Sequence, residues 1–183
     1  MQIRQATSFD ARGIAKVHVD SWRTTYKGIL PDSYLSNLSY KQRTELWERN
    51  SADHGNYIVI AEKEDGQIFG FGTAGKRPKK TQENTGDLTS IYLLEEFQGK
   101  GIGKKLFAEL FRHFTQLGYE KVFVEVLEEN KTRYFYEHFG ASLVKTVQIT
   151  IDGKVLNEFI YEWDDVEAVY RDVVDSNGRT HDE

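Results

Sequence analysis

The sequence predicts a mixed α/β fold, with one central mixed sheet carrying helices on both faces. Three observations support this. Strand-like and helix-like segments follow one another in the order β, α, α, β, β, β, α, β, α, β, β. Asp65-Gly66 and Asp152-Gly153 each sit between strand-like runs and mark two hairpins. The chain has 183 residues, of which 39% are hydrophobic, which suits one domain with a sizeable core.

The elements follow in chain order. Residues 2–6, QIRQA, read as a short strand. Thr7 and Asp10 form a weak capping box, and Ile14 and Val17 begin an apolar face, so a helix is predicted over about 8–22. Residues 27–39 read as a turn with a short helical piece. Ser39 and Gln42 form a better capping box, opening a helix to about Asn50. Residues 57–75 hold two strands around the first Asp-Gly pair, and residues 76–86 form a polar loop. A strand is predicted over 87–94. The next helix opens at the glycines of 99–103. Its apolar face is Leu106, Leu110, Phe114 and Leu117, and Gly118 is its stop. Val122, Val124 and Val126 alternate along a strand at 121–127. A short helix over 130–138 ends near Gly140, and strands at about 142–150 and 154–162 flank the second Asp-Gly pair.

Charge and composition exclude several classes. The net charge is −5, and residues 164–183 carry seven acids against two arginines, so the rest of the chain is balanced. That acidic tail is predicted to be frayed or weakly helical and to lie outside the main domain, 1–163. A balanced domain gives no signal for nucleic-acid binding. No apolar run approaches membrane-span length and the first residues lack signal-peptide order, so the expected compartment is the cytoplasm. There are no cysteines, which excludes disulfides, thiolate metal sites and an acyl-cysteine intermediate. The five histidines show no metal-ligand spacing, and no metal is expected.

The stretch EEFQGKGIGKKL, 95–106, carries the chemistry. The first amides of a helix lack internal partners and sit at its positive end, and glycines let an anion approach the backbone closely. Lys100, Lys104 and Lys105 lie in or near the first turn, where positive charge opposes the helix dipole. Breaking that local rule at one spot points to an anion site. The alternative is a tight turn beside a solvated lysine face. The Walker and dinucleotide patterns both fail, because Lys104 stands where each needs another residue.

Gln98-Gly99-Lys100-Gly101-Ile102-Gly103 matches the [QR]-x-x-G-x-[GA] signature of the GNAT superfamily of N-acetyltransferases. IYLLEEF before it resembles that superfamily's strand-plus-turn entry, FYEHFGA at 135–141 resembles its Phe-Tyr-Glu-x-x-Gly segment, and SWRTTYKGILPDSYLSNLS at 21–39 resembles a subgroup of small bacterial members. The resemblance covers about residues 2–163. It implies a mostly antiparallel sheet with two splayed parallel strands. It also implies acetyl-CoA as acetyl donor and a primary amine as acceptor, attacking directly.

Carried over residue by residue, the amides of Gly99, Lys100, Gly101, Ile102, Gly103 and Lys104, with Gln98, would hold the pyrophosphate. The strand edge at Ile91 and Leu93 would pair with the pantetheine arm. Tyr136 would protonate the departing thiolate; the alternative is a core aromatic. Asn130 would contact the pantetheine arm, or else cap the next helix; it stands six residues before Tyr136, where seven is commoner. Asp87 would serve as general base, or else belong to the turn after Gly86. Asp20, Trp22, Arg23 and Tyr26 lie where relatives border the acceptor, with Trp22 read as core and Arg23 as solvated. A homodimer through the last strands is a further family habit.

Overall fold

The computed structural model describes residues 1–77 and 83–178. Residues 78–82 of the polar loop and the last residues of the acidic tail lie outside them. Strands β1 (Gln2–Gln5), β2 (Asn56–Glu62), β3 (Ile68–Lys76), β4 (Thr85–Leu93), β5 (Lys121–Leu127), β6 (Ser142–Ile151) and β7 (Lys154–Trp163) form one sheet. Their order is β1-β2-β3-β4-β5-β7-β6. Neighbours are antiparallel except β4 and β5, which run parallel. Helices α1 (Ala11–Thr25), α2 (Asp32–Ser36), α3 (Tyr40–Ala52), α4 (Ile102–Gln116), α5 (Arg133–His138) and α6 (Val166–Gly178) surround it.

The expected capping box forms. The Thr7 N–H and hydroxyl both donate to Asp10, at 2.7 and 2.9 Å. The residues it caps, Ser8–Asp10, are a tight 3₁₀ turn, and the α-helix proper starts at Ala11 and runs to Thr25. Arg4 on β1 clamps both Asp10 and Glu62, which ties this turn to the sheet. That guanidinium holds the Asp10 carboxyl down at about 2.

The two faces of the sheet are covered differently. Phe71 on β3 and Tyr92 on β4 face α1, where they meet the ring of His18. Gly72 faces α4, and a Cβ there would stand 2.9 Å from Leu110 Cδ1. Glycine lets the helix sit close to the sheet. The α4 side holds Leu106, Phe107, Leu110, Phe111 and Phe114, all fully buried, against Trp163. The acidic segment after Trp163 departs from expectation. It folds as α6, with Val166 and Val173 buried in the main core. Its apolar residues are spaced to meet α4, and that burial outweighs its poor charge pattern.

His18 is buried among Trp22, Trp47 and Phe71. Its Nδ1 accepts the Trp47 indole N–H at 3.0 Å, which puts the ring proton on Nε2, a buried atom without a partner. Burial, reinforced by Arg43, drives its pKa down to about 4. The unfolded chain therefore takes up a proton below pH 6.5 that the native site refuses until about 4. Stability from this residue is full above pH 6.5 and is lost as pH falls to 4, by roughly 2–3 kcal/mol. His113, lowered by its own burial, adds to the same slope. Urea unfolding at pH 7.5 and 4.5 should show a smaller loss in His18→Phe than in the parent chain. An equal loss would show that His18 does not carry it.

Candidate active site

The site begins with a broken ladder. β4 pairs with β5 only at Thr85↔Lys121, Gly86↔Val122 and Asp87↔Phe123. On the other side of β4, Thr73 faces Ser90 while Ala74 faces Leu88, so Thr89 is an extra residue. Such a bulge bends its strand. It falls just beyond the last β4–β5 pair. From there β5 continues beside β7 to Leu127 and β4 continues beside β3 to Leu93. The two parallel strands therefore diverge, and the facing edge of β4 over 88–93 has no partner strand among the described residues.

The glycine turn closes the open end of this gap. After the 3₁₀ turn Glu95–Phe97, the chain reaches Gly99 and Gly101, at φ +71° and +72°. Both are left-handed, and a Cβ on either would meet nothing within 4 Å. Glycine is needed there by backbone conformation and leaves the turn open to a ligand. Gly101 is the N-cap, so α4 starts at Ile102, not at Gly99. Lys105 N–H makes the bond to the Gly101 carbonyl, and the amides of Ile102, Gly103 and Lys104 come before it. No acid stands in that first turn.

Two cavities meet across the gap. One, of about 950 Å³, brings together Ile91, Leu93, Gln98, Gly99, Gly101, Gly103, Lys104 and Asn130. Lys100 and Ile102 turn away. Lys100 lies over the Phe97 ring and Ile102 is buried, so only their backbone faces the turn. The second cavity, of about 550 Å³, lies on the α1 face and holds Asp87, Arg77, Glu158, Tyr26 and Trp22. Tyr92 lines both.

Between them lies a cluster of phenols. The Tyr26 and Tyr92 hydroxyls are 3.0 Å apart, and Asn130 Nδ2 donates to Tyr26 at 3.4 Å. Asn130 Oδ1 accepts the Thr132 N–H at 2.9 Å, so this residue shapes the chain into α5 and faces the cavity as well. Tyr136 is buried, edge-on to Trp163. Burial, then the nearby Tyr26 phenol, raise its pKa well above the ordinary phenol value. It stays protonated throughout the neutral range.

Asp87 is ion-paired to Arg77 at 2.5 Å, and Arg77 lies 4.1 Å over the Phe123 ring. Burial raises the Asp87 pKa and Arg77 opposes the rise. Glu158 was missed by sequence reasoning. Burial and then Glu125 raise its pKa, and it faces the same cavity from β7. Arg23 is not a solvated side chain: it caps the Leu35 and Leu38 carbonyls at 3.3 and 3.0 Å, strapping α1 to the α2–α3 segment.

The family model described as "Acetyltransferase (GNAT) family" matches residues 19–141. The chain is 37% identical over 167 residues to the uncharacterized N-acetyltransferase YuaI of Bacillus subtilis, covering 91% of this chain and 95% of that one.

The chain belongs to the GNAT family of acetyltransferases.

Other relatives fit this membership. Spermine/spermidine N(1)-acetyltransferase of Bacillus subtilis is 26% identical over 57% of this chain and 72% of its own. The fold matches that of the PaiA N-acetyltransferase of Thermoplasma acidophilum, solved with coenzyme A, at a TM-score of 0.70. That likeness spans 89% of this chain and 98% of the other at 22% identity. The splayed strands expected from the GNAT resemblance are thus present, as is the mostly antiparallel sheet.

The two kinds of glycine in this GNAT signature separate by experiment. A Cβ on Gly103 would meet Phe135 at 3.6 Å and Leu93 at 3.7 Å, which is ordinary contact, and its φ is not left-handed. Gly103→Ala should leave stability unchanged or raise it by up to about 1 kcal/mol. Gly101→Ala forces a side chain into φ +72° and should cost about 1 kcal/mol. Urea denaturation of both variants measures the difference. Equal effects would contradict the assigned turn.

Proposed function

We propose that this enzyme carries an acetyl group from acetyl-CoA to a primary amine by direct attack of the amine on the thioester. The observation that carries this reading is the junction of an unpaired strand edge with an open, glycine-lined helix N-terminus. The edge of β4 that has no strand partner offers backbone groups to an amide-rich arm at Ile91 and Leu93, where the Leu93 carbonyl accepts from Ser21 and Gln98 and would exchange them for the arm. The free amides of Ile102, Gly103 and Lys104, flanked by Gly99, Gly101 and Lys104, suit a pyrophosphate. Gln98 and the Lys100 backbone complete that turn. Asn130 faces the same cavity.

The acceptor enters from the second cavity. Asp87 and Glu158 there, with Glu125 nearby, set a negative field that attracts an ammonium group. Aromatic walls from Trp22, Tyr26 and Phe123 suit a cation with an aliphatic body. The named activity of the spermine/spermidine relative supports a cationic acceptor of this type. The ammonium gives one proton to Asp87, through water, because Arg77 occupies one side of that carboxylate. The amine then attacks the carbonyl carbon, and the nitrogen loses a second proton as the C–S bond breaks. Tyr136 gives its proton to the departing sulfur and is reprotonated by the one lost from nitrogen. A phenol with a raised pKa donates only to a base raised by the same dry surroundings, and the buried position of Tyr136 provides them.

Calorimetric titration with acetyl-CoA, CoA and ATP tests the donor, and thiol release with a panel of diamines, polyamines, amino acids and peptides tests the reaction. Acetyl-CoA and CoA should bind and ATP should not. Gly101→Glu should abolish binding of both while the fold persists. Tyr136→Phe should lower turnover by 10²-fold or more with acetyl-CoA affinity within about threefold. Binding without turnover across the panel would replace the enzyme with a non-catalytic acyl-CoA-binding module.

A further inference from the structure

We infer that Tyr92, held by Tyr26, is a catalytic residue whose hydroxyl donates a hydrogen bond to the thioester carbonyl of the acetyl donor. This rests on the donor assigned above. Tyr92 lines both cavities, which puts this residue where the donor's acetyl end and the acceptor amine would meet. It points away from the α4 side, where Leu93 lies near Gly103, and toward the α1 face.

Three contacts fix the ring. His18 lies nearly parallel to it, at 8° between planes and 6.0 Å between centroids. Phe71 packs at 5.7 Å on the same side of the sheet. The Tyr26 hydroxyl holds its oxygen at 3.0 Å.

The hydrogen bonds permit this donation. Asn130 Nδ2 donates to the Tyr26 oxygen. Asn130 can do so because its Oδ1 is committed to the Thr132 amide, which turns the NH₂ toward Tyr26. Either hydroxyl can donate across the 3.0 Å contact, so when Tyr92 gives its proton to a carbonyl, Tyr26, still accepting from Asn130, turns its own proton to Tyr92. Burial raises the pKa of both phenols, so both carry their protons across the neutral range.

The chemical consequence is carbonyl activation. As the amine nitrogen bonds to the carbonyl carbon, the C=O π pair moves onto oxygen, where the Tyr92 O–H meets it. When the pair returns, the C–S bond breaks and the sulfur leaves with its electrons. Tyr92 keeps its own proton throughout, which separates its role from that of Tyr136. A fixed donor at a developing oxyanion is a common and large source of rate enhancement. Tyr26, which acts through Tyr92, is a positioning residue.

The test needs no knowledge of the acceptor. CoA and acetyl-CoA are titrated calorimetrically into the parent chain, Tyr92→Phe and Tyr26→Phe. CoA lacks the carbonyl, so it reports on the fold and on the rest of the cleft. Tyr92→Phe should weaken acetyl-CoA about 3- to 10-fold while CoA affinity stays within twofold. Tyr26→Phe should move the same ratio in the same direction by a smaller factor. An unchanged ratio in Tyr92→Phe, with both ligands still bound, overturns the inference. Equal weakening of both ligands also overturns it, because the residue would then only shape the cleft. Failure of the parent chain to bind either ligand would overturn the donor assignment itself, a result distinct from both. As a second readout, Tyr92→Phe should lower turnover of any amine accepted in the panel by 10- to 100-fold.

Discussion

Between Asp87 and Leu93, strand β4 leaves its parallel neighbour while staying paired to β3. The extra residue at Thr89 makes this possible, since it bends β4 without breaking the β3 ladder. On the other side, β5 is held by β7 from Val122 to Leu127. Two stable half-sheets thus share one hinge of three residue pairs, and the gap between them cannot close by sliding. Backbone groups on the open edge lack a strand partner, and side chains stand in for one at the Leu93 carbonyl, which accepts from Ser21 Oγ and Gln98 Nε2. A ligand arm rich in amides fits that need better than a side chain does. The rest of the site is arranged around this demand.

Each end of the gap has its own fastening. At the closed end, Arg77 joins Asp87 of β4 and covers Phe123 of β5. The pairing Asp87↔Phe123 is the last of the ladder, so this ion pair seals the hinge and keeps an acid beside it. At the open end, Asn130, Tyr26 and Tyr92 link the start of α5, the end of α1 and β4 through hydroxyl and amide bonds. The end of α1 and β4 border both cavities, and the start of α5 borders the larger one. The phenol cluster thereby holds the mouth at a set width, while the aromatic core beneath α4 supports β4 and β5 from the other face.

The readable parts of this site are local in the chain. Gln98 to Lys104 are consecutive, and left-handed glycines at a helix start leave a signature in any sequence. The capping box at Thr7 and the Ser39 cap, which accepts the Gln42 amide, are legible for the same reason. The start of α4 was placed early because glycine pattern cannot separate an N-cap from a first turn. The acidic segment looks frayed or weakly helical in sequence because its charges dominate composition, whereas burial of Val166 and Val173 decides its structure. Arg23 looked solvated because its partners are carbonyls, which carry no residue identity. Tyr92 and Glu158 were missed because their meaning comes from distant neighbours. Tyr26 stands 66 residues before Tyr92, and Asn130 stands 104 residues after Tyr26. Nothing in a linear pattern reports that a tyrosine on one strand borders two cavities.

The lysines at the mouth of α4 bring these threads together. Lys104 and Lys105 occupy the first turn, where the dipole disfavours a cation by a few tenths of a kcal/mol each, and no acid there offsets them. Among the described residues neither forms an ion pair. Lys100 rests over Phe97, a weak contact that does not neutralise it. Left-handed backbone at Gly99 and Gly101 adds no stability of its own, since glycine loses more entropy on folding than other residues. The turn is therefore electrostatically and conformationally poorer than a helix start built for stability alone. An anion carrying two charges reverses each of these terms together: it receives the free amides, the dipole and the lysines. The gap in the sheet and the turn at its mouth thus carry complementary deficits, one of hydrogen bonds and one of negative charge. A ligand with an amide arm joined to a pyrophosphate satisfies both, because the end of β4 leads directly into that turn.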